Sequence, residues 1–124
     1  MQEITKAQEE ILKALWTIER GAVSDILNAL PDPKPAYNTV ATVIKVLEKK
    51  KYVSYNKYGK TFVYYPLISQ KEYGKQIFTS TLKNLYNNSL TQMVSHFMKS
   101  KKVSIDELEA LKASIEDEIK KQKQ

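Results

Sequence analysis

The sequence predicts a mainly α-helical fold interrupted by one small β-hairpin, and three observations predict it. Apolar residues recur at the i, i+3, i+4 spacing of a helical face through most of the chain. Between 52 and 65 that period gives way to runs of aromatic and β-branched residues, the composition of strands. Pairs of the Ser/Thr-x-x-Glu/Gln type (Thr5 with Gln8, Ser69 with Glu72, Ser104 with Glu107) mark helix starts, because each end can satisfy a free backbone N–H of the first turn.

The first helix is expected over about 6–18. Ile11, Leu12, Leu15 and Trp16 share its apolar stripe with Ile4 ahead of it, which reads Trp16 as a core anchor. Gly21 ends it. Val23, Ile26, Leu27 and Leu30 give a second, short helix that stops at Pro31. The segment Pro31-Asp-Pro-Lys-Pro35 is a stiff connector, since each proline fixes its own φ and disfavours the α region in the residue before it. A third helix then runs over 36–51. Val40, Val43, Ile44 and Leu47 make its core face, while Asn38, Thr42, Lys45 and Lys49 recur on another. That second face starts with small hydrogen-bonding groups (Asn38, Thr39, Thr42) and ends in Lys49, Lys50 and Lys51, a pattern suited to a helix in the DNA major groove. Taken alone, the helix reads equally well as a surface helix whose β-branched residues merely pack.

Residues 52–57 and 61–65 form a hairpin around Tyr58-Gly59-Lys60, closed by Pro66. Tyr52, Tyr55, Tyr64 and Tyr65 read as packing residues beneath it. Tyr58, set at a basic tip between Lys57 and Lys60, is open to a phosphate or minor-groove contact or to plain exposure.

Charge weighs the readings of the third helix. Between 34 and 60 seven lysines face one acidic residue, Glu48, so this window holds the whole net charge of +6 and the rest of the chain sums to zero. Such localisation is the footprint of a polyanionic partner, and DNA, RNA and an anionic membrane surface all qualify. Two short helices, a turn, a third helix with a polar outer face and a basic hairpin follow the order of a winged helix-turn-helix, and this favours DNA.

Beyond 68 the chain reads as helical throughout. A helix from Ser69 to about Asn87 carries Tyr73, Ile77, Phe78, Leu82, Leu85 and Tyr86, and Asn87-Asn88-Ser89 breaks it. A short helix with Leu90, Met93, Val94, Phe97 and Met98 follows, then a last one with Ile105, Leu108, Leu111, Ile115 and Ile119. Three amphipathic helices in so few residues are marginal alone, which points to burial against the first domain or against a second copy, and the second copy is preferred. We therefore expect a winged-helix DNA-binding domain over 1–68 and an all-α dimerisation domain over 69–124. Ile77, Leu82, Leu85, Met93, Val94, Phe97, Leu108, Leu111 and Ile115 are the dimerisation residues.

Composition excludes several function classes. There is no cysteine and only one histidine, His96, so neither a disulfide framework nor a metal site is expected, and no cofactor. An enzyme is not expected: a Gly-rich phosphate loop, a cysteine nucleophile and a second histidine or a carboxylate pair beside a cleft are all missing. No small-molecule substrate suggests itself. With neither a long apolar run nor a basic and apolar leader, the chain is expected in the cytoplasm. RNA binding is disfavoured because the aromatic residues occupy hairpin packing positions and not an open stacking platform. The runner-up is a winged-helix protein-interaction module without DNA binding, which would need no concentration of lysine on one helix and a hairpin tip.

At this point the chain resembles the penicillinase repressor family, the BlaI, MecI and CopY type. The residues that carry the resemblance are the opening ITKAQEEILKALW, TVATVIKVLEKK in the third helix, KYGKTFVYYPLIS around the wing and SIDELEAL in the last helix. The resemblance implies a homodimeric transcriptional repressor that occludes promoters at dyad-symmetric, double-stranded operators near resistance or metal-handling genes. In the penicillinase branch it further implies relief by cleavage in the dimerisation region, triggered by a membrane sensor with a metalloprotease domain. Asn38, Thr39, Ala41 and Thr42 would then read base edges, and Lys45, Lys49, Lys57, Tyr58 and Lys60 would hold phosphates.

Three positions depart from the family pattern. Lys51 stands where the family has a glycine after the lysines of the recognition helix, so that turn is expected to differ or carry strain. The paired C-terminal cysteines of the copper-responsive branch are missing, which argues against direct copper sensing. The scissile Asn-Phe pair of the penicillinase branch corresponds to His96-Phe97, where the histidine also reads as a plain polar position on a half-buried helix.

Overall fold

The computed structural model describes residues 2–124. Six helices and one hairpin follow in the order α1 (Lys6–Ile18), α2 (Val23–Asn28), α3 (Tyr37–Lys49), β1 (Val53–Tyr58), β2 (Thr61–Pro66), α4 (Gln70–Tyr86), α5 (Leu90–Ser100) and α6 (Ile105–Gln122). The fold is mainly helical: a winged helix-turn-helix followed by further helices. Two compact units divide it at 77/78, within α4, and not at the 68/69 boundary expected from the sequence.

In the first unit, α1 starts as its capping box requires. The Thr5 hydroxyl accepts from the Gln8 N–H at 3.2 Å, and Gln8 Oε1 accepts from the Thr5 N–H at 3.0 Å. The core is built from Leu12 and Leu15 of α1, Ile26 of α2, and Val40, Ile44 and Leu47 of α3, with Tyr52, Val53 and Tyr64 of the hairpin region beneath them. Each such aliphatic side chain contributes roughly 1.5–3 kcal/mol by leaving water. The core extends past β2 into α4. Trp16 donates from Nε1 to the Ile68 carbonyl at 2.9 Å, its indole half-buried against the core. The Tyr73 ring lies tilted 5.6 Å from that of Trp16 and edge-on 6.0 Å from that of Tyr52, and its hydroxyl donates to Glu9 Oε2 at 2.8 Å. Burial first, and then the bond to Glu9, push the Tyr73 phenol pKa up. These contacts explain why the first unit claims the opening turns of α4.

The hairpin is antiparallel with Tyr58 opposite Thr61, so the turn is the two residues Gly59-Lys60 and Tyr58 belongs to β1. Gly59 has φ 62, the positive value a two-residue hairpin turn demands at its first central position. Pro66 is the last residue of β2, opposite Val53, and ends the strand as expected. A third backbone partner was hidden from the sequence. Gly21 exchanges two hydrogen bonds with Tyr64, N–H to carbonyl at 3.0 Å and carbonyl from N–H at 2.8 Å, tying the α1–α2 junction to the wing. A Cβ on Gly21 would stand 2.8 Å from both the Asp25 Cβ and the Ile18 Cδ1, so a side chain there forces a shift.

The second unit comprises the remainder of α4 with α5 and α6. Asn87 and Asn88 break α4 with φ 49 and 64, values that asparagine tolerates better than most residues. Ser89 caps α5 and Ser104 caps α6, each hydroxyl accepting an N–H from three residues on. No residue of α5 or α6 is buried. No described helix is long and apolar enough to cross a membrane.

Candidate nucleic-acid interface

The outer face of α3 arises from the way its inner face is held. Val40, Ile44 and Leu47 fix the helix against the core, and this turns Asn38, Thr42, Lys45 and Lys49 outward as one exposed row. The four expected base readers do not share one environment. Asn38 and Thr42 stand together on that row. Ala41 is half-buried on the side towards the wing, and Thr39 is exposed on the opposite flank, against the groove formed by Pro31, Pro33 and Pro35.

α3 ends in a glycine-type cap made without glycine. Lys51 has φ 67, its N–H donates to the Glu48 carbonyl at 3.0 Å, and the Tyr52 N–H reaches back to the Leu47 carbonyl at 2.9 Å. These are the paired bonds of a Schellman motif, in which the left-handed residue is usually glycine. The departure at Lys51 is thus accommodated with the usual backbone and a strained residue, since a Cβ at this φ costs about 1–2 kcal/mol.

The lysines of the basic window divide by what they touch. Lys34 Nζ is turned back on the carbonyls of Asn28 and Leu30, where it caps α2, and it lies 3.9 Å from Asp32. Lys50 Nζ donates to the Glu3 carbonyl at 2.8 Å and to Gln8 Oε1 at 3.0 Å, pinning the N-terminal segment to the end of α3. Among the described residues, Lys45, Lys49, Lys51, Lys57 and Lys60 have no acidic partner. Lys57 Nζ sits 5.4 Å from the centroid of the Phe62 ring, its cross-strand neighbour, which fixes this cation on the wing. Tyr58 is 59% exposed at the end of β1. The five expected phosphate ligands are therefore all on the surface, on α3 and on the wing.

Between α3, the start of α2 and the hairpin runs an open groove of about 770 Å³. Lys45, Lys49 and Lys60 stand along it, Tyr55, Phe62 and Tyr64 form its aromatic side, and Tyr37, Glu48 and Thr61 complete the wall. Tyr55 meets Phe62 edge-on at 5.0 Å and Tyr64 at 5.6 Å. Tyr55 is thus a groove residue, more exposed than the packing role expected for it, whereas Tyr52 and Tyr64 are buried. Burial, then the charge of Glu48, raise the Tyr64 phenol pKa. Tyr37 and Glu48 were missed from the sequence, although the spacing Tyr37, Ala41, Lys45, Lys49 is one i, i+4 row and could have disclosed Tyr37.

The residues expected in the dimer are mostly open. Ile77 belongs to the first unit, while Leu85 (75% exposed), Phe97 (53%), Leu108, Leu111 and Ile115 lie in the second; Leu82, Met93 and Val94 are half-buried. His96 and Phe97 are both exposed within α5, and the Tyr86 hydroxyl lies 2.6 Å from His96 Nδ1. Among the described residues no cluster of three His, Asp or Glu could hold a metal ion.

Three helices and a wing with unpaired lysines gathered on α3 and the hairpin define a winged-helix protein of the DNA-binding class. The family model of the penicillinase repressors matches residues 4–117, and the chain belongs to that family, whose members are transcriptional repressors and not enzymes. It is 26% identical over 123 residues to the penicillinase repressor of Bacillus licheniformis, covering 98% of this chain and 96% of that one. With the methicillin resistance regulatory protein MecI of Staphylococcus aureus (strain N315) it shares 24% identity over 111 residues, 89% of this chain and 90% of that protein. A solved structure described as the CopR repressor aligns at 28% identity with a TM-score of 0.45, over 55% of this chain and 100% of that chain.

Proposed function

We propose that the chain acts in the cytoplasm as a homodimeric, sequence-specific repressor that occludes promoters at dyad-symmetric operators in double-stranded DNA. The observation that carries this reading is the exposed row Asn38, Thr42, Lys45 and Lys49 on α3, continued by unpaired Lys57 and Lys60 on the wing. Asn38, Thr39, Ala41 and Thr42 meet base edges, because the first turns of a recognition helix lie deepest in the groove. Lys45, Lys49, Lys57, Tyr58 and Lys60 fix register on phosphates. Specificity and affinity thus fall on different side chains. Two copies join through the open apolar faces of α4 to α6, at Ile77, Leu82, Leu85, Met93, Val94, Phe97, Leu108, Leu111 and Ile115, which sets two α3 helices on the two halves of a palindrome. The names of the relatives support a place in antibiotic-response regulation.

Repression ends when the second unit is cut or loosened, because one winged helix alone makes few contacts. Cleavage between His96 and Phe97 by a membrane sensor metalloprotease suits this scheme. The bond lies within α5, so that helix must open locally before a protease can take it in extended form.

The test is base selection by Thr42→Val on duplexes enriched from a random pool. The preferred sequence changes at the bases under α3, with about 1–3 kcal/mol lost per base contact. Equal weakening on every duplex would remove Thr42 from base reading, and no binding by the wild-type chain would favour a protein-interaction module.

A further inference from the structure

We propose that the groove between α3 and the hairpin seats the sugar–phosphate backbone of one DNA strand, with Tyr37 as a neutral phosphate donor and Glu48 as a repelling charge that tempers the grip. This rests on the DNA-binding reading above and assigns two residues to it. The groove is too open to enclose a small molecule, yet its walls suit a passing polyanion: Lys45, Lys49 and Lys60 stand along it without acidic partners, and aromatic rings offer flat contact to deoxyribose. It also lies where a strand must pass if α3 enters the major groove while the hairpin tip touches the same duplex from the side.

Tyr37 lines this groove. It occupies the first turn of α3, is 53% exposed, and its hydroxyl makes no hydrogen bond to any described residue. A phenol held on a helix end with an unused donor can give one hydrogen bond to a phosphate oxygen without adding charge. Glu48 faces the same space three turns on. Its carboxylate forms no ion pair with Lys45, which stands one turn before it, and it is close enough to Tyr64 to raise that phenol. A half-buried carboxylate fixed beside a phosphate track weakens binding to any duplex, whatever its sequence.

Both residues act on the backbone, so their variants shift binding to all duplexes alike and in opposite directions. Binding is measured on a duplex selected from a random pool and on its scrambled counterpart. Tyr37→Phe weakens both by roughly fivefold, the worth of one hydrogen bond, with the salt dependence unchanged because no charge is lost. Glu48→Gln tightens both by roughly threefold. A set of duplexes with single methylphosphonate substitutions supplies the readout that a merely structural role would not move: at one position, neutralising the phosphate abolishes the effect of Tyr37→Phe. Wild-type affinity for both variants, or methylphosphonate effects simply additive with Tyr37→Phe at every position, would overturn the groove assignment while leaving DNA reading by α3 intact. A change confined to the selected duplex would also overturn it, by making the residue a base reader. Failure of the wild-type chain to bind any duplex would instead remove the DNA-binding reading itself.

Discussion

Residues 1–77 and 78–124 contain the same kinds of apolar residue and use them in opposite ways. The first unit turns Leu12, Leu15, Ile26, Ile44 and Leu47 inward until none is measurably exposed, and every buried hydrophobic residue among those described belongs to it. In the second unit Leu85, Leu90, Phe97, Ile105 and Ile115 are at least half exposed, and no residue of α5 or α6 is fully buried. The first unit buries a closed core, whereas the second only half-buries residues such as Leu82, Met93 and Val94 and adds caps and local pairs such as Lys121 with Asp117. Apolar surface on this scale, left open along amphipathic helices, supports the proposed joining of two copies. On the proposed function this difference separates two tasks: the first unit presents α3, and the second would decide whether two such helices act together.

The comparison can be broken most sharply at α6. Replacing Leu111 and Ile115 together with aspartate places charges on the open face, so the chain becomes monomeric by sedimentation and its operator affinity falls by about a hundredfold or more as the advantage of two linked sites is lost. A monomeric wild-type chain, or a double variant with full affinity, would show that the face serves some other purpose. Next in size is the core of the first unit. Ile44→Ala removes a fully buried side chain and costs about 2–5 kcal/mol in denaturant unfolding. The matching Ile115→Ala change costs far less in dilute, dissociated protein and acquires a core-like cost only at concentrations where copies associate. Equal costs at all concentrations would mean that the second unit closes its own core. The smallest effect belongs to the end of α3, where Lys51→Gly relieves a side chain held at φ 67 and stabilises the first unit by about 0.5–1 kcal/mol. Destabilisation would mean that the lysine stem makes compensating contacts.

Much of the first unit was legible because local rules and tertiary packing agree there. The α1 capping box, the core stripe of α3 and the hairpin all fall within a residue or two of expectation. The misses have physical causes. α2 ends at Asn28, short of the proline at 31, and the carbonyls of its last turn are met by the N–H groups of Ala29 and Leu30 and by Lys34, partners that periodicity does not show. The Gly21 bridge to Tyr64 involves one residue, too few to leave a strand pattern. The boundary near 68 follows a change of period, whereas Tyr73 is committed to the first core by rings and a hydrogen bond that join residues far apart in sequence. At the interface, counting lysines located the basic region and could not tell which of them fold back, as Lys34 and Lys50 do. Helical periodicity likewise placed Asn38 and Thr42 correctly on one row, but the groove that adds Tyr37 and Glu48 exists only once the wing is folded beside α3.

On the proposed function α3 and the wing grip DNA phosphates while the first turns of α3 read bases. Its most direct test is the salt dependence of binding by the wild-type chain and by Lys45→Ala with Lys49→Ala on a duplex selected from a random pool. The slope of log K against log salt should flatten by about 0.9 for every phosphate contact removed. An unchanged slope would take both lysines, and with them the outer face of α3, off the DNA.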